Sequence, residues 1–150
     1  MWKSVCLVVG VWGCAMAADR PALDGTWEMD AAHSQVADAK LKGQSWLISQ
    51  KDDSIEISQI LTDTAGKQRK IVIQCNTDGK NCQVKENGQA TQVSLYYNDN
   101  LLVMLEQWHG TDYVTKKRFK MSDDGKTMTV EVSHIAPPGH KDEVWTFVKQ

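Results

Sequence analysis

From Gly25 to Lys149 apolar and polar side chains alternate with a period of two, the pattern of antiparallel strands that bury one face and expose the other. Gly25-Thr26-Trp27-Glu28-Met29 leaves a glycine turn and enters a strand whose first large side chain is Trp27. In Gln44 to Gln50, Trp46 and Ile48 share a face. Lys51-Asp52-Asp53-Ser54 turns this segment into Ile55 to Thr62, where Ile55, Ile57, Gln59 and Leu61 share one. Beyond a glycine turn in Asp63 to Lys67, Ile71, Ile73 and Cys75 face one way and Gln74 the other, and Cys82 and Val84 continue the buried side.

Two later hairpins set register. A three-residue turn at Asn98-Asp99-Asn100 predicts Tyr97 opposite Leu101, Leu95 opposite Val103 and Val93 opposite Leu105. Asp124-Gly125 pairs Met121 with Met128 and Phe119 with Val130, leaving Glu131 and Ser133 on the other face with Arg118 and Lys120. Asp30 to Gly43 breaks the alternation. Asp30 as N-cap, an alanine-rich stretch and Gly43 as C-cap predict a short helix or Ω-like loop across one end, a lid. Pro137-Pro138-Gly139 makes a rigid loop before a last strand, Glu143 to Lys149, that is expected to close on Gly25 to Met29. About ten strands at this spacing predict an all-β fold, a single antiparallel up-and-down barrel of 8–10 strands with the lid after its first strand.

The N-terminus stands apart. Lys3 supplies one positive charge, Val5 to Trp12 is a short apolar run and Ala15-Met16-Ala17 is an A-x-A site, so residues 1–17 read as a secretory signal peptide cleaved before Ala18. The alternative is a lipobox at Val11-Trp12-Gly13-Cys14, with Cys14 lipidated and retained. The run is shorter than the roughly 20 residues of a membrane-spanning helix, so no integral span is expected and residues 18–150 form the exported domain, periplasmic or secreted. Formal net charge is −2 and becomes −3 when Lys3 is removed, too balanced for a nucleic-acid partner. Cys6 and Cys14 fall in the leader, leaving Cys75 and Cys82 flanking Asp78-Gly79. A type I′ turn there would set the two cysteines directly opposite, about 5.5 Å apart at Cα in a hydrogen-bonded pair, within reach of a structural disulfide.

Gly25-Thr26-Trp27, Asp124-Gly125-Lys126-Thr127-Met128-Thr129-Val130 and Phe147-Val148-Lys149 together resemble lipocalins and related calycin barrels, in particular small secreted bacterial lipocalin-like proteins. The resemblance spans Asp24 to Lys149 and implies a barrel that binds a small molecule. Thr111-Asp112-Tyr113 matches the T-D-Y of a later lipocalin loop, although Gly110 makes an ordinary turn an equal reading. Lipocalins pack a late arginine on the first tryptophan; Arg118 is the nearby candidate here, and its alternation points it outward.

No chemistry beyond binding is indicated. His33, His109, His134 and His140 lack the tight spacing of a metal site. No G-x-S-x-G elbow and no phosphate loop is present, Asp52-Asp53 and Asp123-Asp124 sit in turns, and Lys116-Lys117-Arg118 reads as a solvated face, so neither enzyme activity nor a cofactor is expected. Trp27, Trp46, Trp108, Trp145, Tyr96, Tyr97 and Tyr113 either fill the barrel or partly line a cavity. If hollow, its walls are expected to be Trp46, Ile57, Ile73, Val84, Val93, Leu95, Val103, Leu105, Phe119, Val130 and Phe147, with Trp27 closing the base. That set is uncharged and suits an apolar or amphipathic molecule. The alternative is a non-enzymatic module with a packed core whose exterior binds or inhibits another envelope protein.

Overall fold

Trp27, the tryptophan that opens the alternating pattern, lies fully buried in β1 (Gly25–Met29), and among the described residues nine further strands follow it. The computed structural model describes residues 20–86, 89–108 and 110–150. The later strands are β2 (Leu41–Gln50), β3 (Ser54–Asp63), β4 (Gln68–Asn76), β5 (Asp78–Glu86), β6 (Gln89–Asn98), β7 (Leu101–Trp108), β8 (Val114–Met121), β9 (Thr127–Ala136) and β10 (Glu143–Lys149). They form one antiparallel sheet in the order β4-β3-β2-β1-β10-β9-β8-β7-β6-β5. The two ends of the chain close it as expected, Trp27 opposite Lys149 and Met29 opposite Phe147. The leader, with Lys3, Cys6, Cys14 and Ala17-Ala18, lies outside the described residues, as does His109.

Closure is nearly complete. β4 and β5 are the two edges of the sheet, and they pack side by side without a ladder among the described residues. The expected hairpin pairing of Cys75 with Cys82 is therefore absent, because Asn76 is held by Ser54 of β3, the Thr77 N–H donates to the Asp53 carbonyl at 2.8 Å, and Asp78 pairs with Tyr96 of β6. Asp78-Gly79 serves a register shift in β5 instead. The disulfide itself forms, with Cα atoms 5.8 Å apart, and ties the two edges together.

One end of the barrel is packed solid. Leu23 plugs it, its carbonyl accepting from Trp27 Nε1 at 2.8 Å and its N–H donating to Gln50 Oε1 at 3.0 Å. Gln50 Nε2 donates to the Tyr97 hydroxyl at 2.7 Å, and Arg20 covers the Tyr97 ring while donating to the Asp52 carbonyl. Above this plug Trp46, Phe119, Phe147, Leu95, Leu102, Met104 and Met128 interlock, with Trp46 and Phe147 rings 4.4 Å apart. Gly25 begins the closing strand for a steric reason: its φ is +130°, and a Cβ there would stand 2.8 Å from the Lys149 side chain.

The hairpin at Asn98 corrects a register. Asp99 adopts a left-handed conformation at φ 52°, so Asn98 pairs with Leu101 around a two-residue turn, and Leu95 faces Met104 rather than Val103. The slip of one residue turns Leu102 and Met104 into the core cluster and puts Val103 and Leu105 on the opposite face of β7, beside Tyr96 and Ser94, where Val103 is still buried. The other predicted hairpin stands, with Met121 opposite Met128 and Phe119 opposite Val130.

Asp30 to Gly43 is less of a lid than its composition suggests. A 3₁₀ turn at Ala31–His33 is capped by Asp30, whose carboxylate accepts from the Ala32 and His33 N–H groups, and Gly43 belongs to β2 rather than to a helix C-cap. The segment is then laid along β10: Gln35 bridges Val144, Ser34 Oγ accepts from the Thr146 N–H at 2.8 Å, and the Ala37 N–H donates to Glu143 at 2.8 Å. After the detour it resumes the edge position that β1 leaves at Met29.

Candidate functional site

Above the packed half the interior opens into a cavity of about 170 Å³. Its walls come from β2 to β8 and β10: Gln44, Gln59, Leu61, Arg69, Ile71, Ile73, Val84, Thr91, Val93, Glu106, Trp108, Lys117 and Trp145. Leu61 and Arg69 also border a groove of about 300 Å³ at the mouth, rimmed by Asp38, Lys40, Asp63 and Lys67. Interior and mouth thus share one boundary.

Of the expected wall residues, Ile73, Val84 and Val93 line this cavity. Trp27, Trp46, Ile57, Leu95, Phe119, Val130 and Phe147 belong to the packed core, while Val103 and Leu105 lie on the opposite face of β7. The cavity is also not the uncharged chamber expected. Lys117 Nζ donates to Glu106 Oε1 at 2.8 Å, with side-chain exposures of 9% and 12%. Thr115 Oγ1 donates to Glu106 Oε2 at 3.3 Å, and Lys117 Nζ stands 5.2 Å from the Trp145 ring centre. The pair withdraws two charges from water at a cost that its mutual attraction and the added hydroxyl contact offset.

A second polar group sits between this pair and the rim. Glu143, 8% exposed, accepts from Trp145 Nε1 at 3.1 Å and from the Ala37 N–H at 2.8 Å, and its second oxygen lies 2.9 Å from His134 Nε2. One carboxylate therefore fixes the rim segment, the β9 histidine and an indole of the cavity wall. His140 lies between His134 and Tyr113 with its ring tilted by 50° and 53° to theirs and ring centres 5.6 Å and 6.0 Å away. Among the described residues no group of three or more His, Cys, Asp or Glu side chains is placed to hold a metal ion.

The missed residues were partly visible. Gln59 shares its alternation with Ile55 and Ile57, and Gln44 with Trp46, so their inward direction follows from period two. Lys117 follows in the same way from Phe119. Glu106 depended on the corrected hairpin, which alone decides the direction of every β7 side chain.

This geometry defines the class: a ten-stranded antiparallel barrel of the calycin type, open at one end and interrupted at one seam. The chain matches no protein-family model and no curated protein sequence. Solved structures share its fold. The fluorescent protein UnaG superposes with a TM-score of 0.60 at 16% identity, covering 85% of this chain and 97% of its own. A secretary abundant heat soluble protein from Ramazzottius varieornatus gives 0.62 at 8% identity, covering 89% and 99%. The fatty-acid-binding protein of Manduca sexta gives 0.58 at 8% identity, covering 84% and 98%. At these identities the likeness is one of fold.

Proposed function

We propose that this chain is an exported barrel that binds and shields a small amphipathic molecule. The observation that carries the reading is the division of the interior. Aromatic and aliphatic side chains fill one half to closure, while the other half keeps a cavity whose walls combine Ile71, Ile73, Val84 and Val93 with Gln44, Gln59 and Thr91. An evenly packed barrel would need no such chamber. At about 170 Å³ it takes a compact group rather than a whole drug-sized ligand, so a longer molecule would continue past Leu61 and Arg69 into the mouth groove. Two of the similar structures are named fatty-acid-binding proteins, which agrees with an amphipathic guest. The Cys75–Cys82 bridge agrees with an oxidising compartment, and the leader ending at Ala17 supplies the route there.

Tryptophan fluorescence tests the reading because Trp108 and Trp145 border the cavity. Medium-chain and small aromatic amphiphiles are expected to change emission saturably. Val93→Phe, which fills the chamber from β6, is expected to weaken them at least tenfold while the protein stays folded. Absence of any saturable response, together with no mass co-purifying from the native host in native mass spectrometry, would return the packed interaction module as the better reading. The mass of the exported protein checks the leader separately: a start at Ala18 is expected, and a lipidated Cys14 would overturn it.

A further inference from the structure

The cavity presents more hydrogen-bond donors than its own side chains use. Gln44, 2% exposed, accepts with Oε1 from Trp46 Nε1 at 2.8 Å, which fixes the amide's orientation and turns Nε2 away from the indole. Among the described residues that Nε2 has no partner, and neither does Nε2 of Gln59, 5% exposed. The two side chains are diagonal neighbours on β2 and β3, since Gln44 pairs with Leu61 and Trp46 with Gln59. On the facing wall Thr91 Oγ1, 6% exposed and beside Trp108, is also unpartnered. All three line the same chamber. Buried polar groups left unpaired oppose folding, so three of them around one space mark a place that an incoming group completes.

The charged groups argue about which incoming group. Both cations of the lining are engaged, Lys117 by donating to Glu106 at 2.8 Å and Arg69 by a contact of its own, and the Glu106 carboxylate also takes the Thr115 hydroxyl. A carboxylate guest would have to displace Glu106 or lie against it, and like charges in a poorly hydrated space repel strongly. A neutral oxygen meets no such opposition. We propose that Gln44, Gln59 and Thr91 form a recognition site for a neutral carbonyl, that of a ketone, ester or amide, on the guest whose binding is proposed above, on which this assignment rests.

A matched series separates the alternatives: 2-nonanone, nonanoate and nonane, titrated by tryptophan fluorescence against the full mature chain with its disulfide intact. The ketone is expected to bind at least tenfold more tightly than either of the others. Gln59→Leu is expected to erase the advantage of the ketone over nonane, and to keep or raise Tm, since it removes an unpaired buried donor. Nonanoate binding most tightly would overturn the carbonyl assignment and leave the ligand-binding reading in place. A sharp fall of Tm in Gln59→Leu would also overturn it, because the amide would then hold a partner within the protein. If no member of the series binds, the ligand-binding reading falls and the assignment with it.

Discussion

Lys117 shows how much a single position can carry. Its neighbours Lys116 and Arg118 face outward, Arg118 and Lys120 meeting Glu131 at 3.5 and 2.6 Å, while Lys117 turns inward onto Glu106. Read as a run of three cations the segment looks solvated; read by period two from Phe119 it places one cation inside. Alternation holds for charge as it does for hydrophobicity. Replacing Glu106 by Gln leaves Lys117 buried without its counter-charge and is expected to cost about 3 kcal/mol, whereas Glu106→Leu combined with Lys117→Met should fall within about 1 kcal/mol of the parent, both read by urea unfolding. At the plugged end burial holds the Tyr97 hydroxyl above its ordinary 10.0 despite the donation from Gln50. With the folded pKa raised, this contribution is fully present below pH 10.0 and is lost as pH rises through the folded value. Thermal unfolding at alkaline pH should therefore fall more steeply for the parent than for Tyr97→Phe.

Hairpins were legible where their turn residues allow one solution. Asp124-Gly125 does: Gly125 takes φ 68°, the Asp124 carboxylate accepts from Ser122 Oγ at 2.7 Å and the Lys126 N–H at 3.0 Å, and the predicted register follows. Asn98-Asp99-Asn100 does not, because asparagine and aspartate both enter the left-handed region and either can head the turn. Leu101 to Leu105 gave no correction, being apolar on both faces. Asp99→Gly is expected to keep the register and leave stability within about 1 kcal/mol, since the position already holds positive φ. Composition misled in Asp30 to Gly43 for another reason. Its alanines suggest a helix, yet the unpaired edge of β10 beyond Met29 offers backbone partners at Thr146 and Val144, and the chain takes those. Glu143→Gln keeps the size but weakens its contacts to Ala37 and His134, so amide exchange should rise in residues 34–37 before anywhere else on the rim.

At the scale of the whole molecule, the barrel's closure was readable because both terminal strands carry an inward-facing large aromatic, Trp27 and Phe147, which join Trp46 in one core. Lys149, 5.4 Å above the Trp27 ring, supplies the cation that Arg118 does not. What alternation cannot reveal is a missing ladder, since side chains on the edges of a sheet point in and out as they do in its middle. The Cys75–Cys82 bridge lies across that gap near the plugged end, and the cavity walls Ile71, Ile73 and Val84 run along it toward the mouth. Among the described residues no backbone ladder joins β4 to β5, so parting the wall there costs less than separating any paired strands, and the seam is the cheapest doorway, hinged at a sulfur bridge that permits the far end to swing. Its influence falls on residence time. Cys75→Ser with Cys82→Ser is expected to cost about 2 kcal/mol of stability, and to speed a bound guest's departure and entry together, so that stopped-flow rates rise severalfold while the equilibrium constant barely moves.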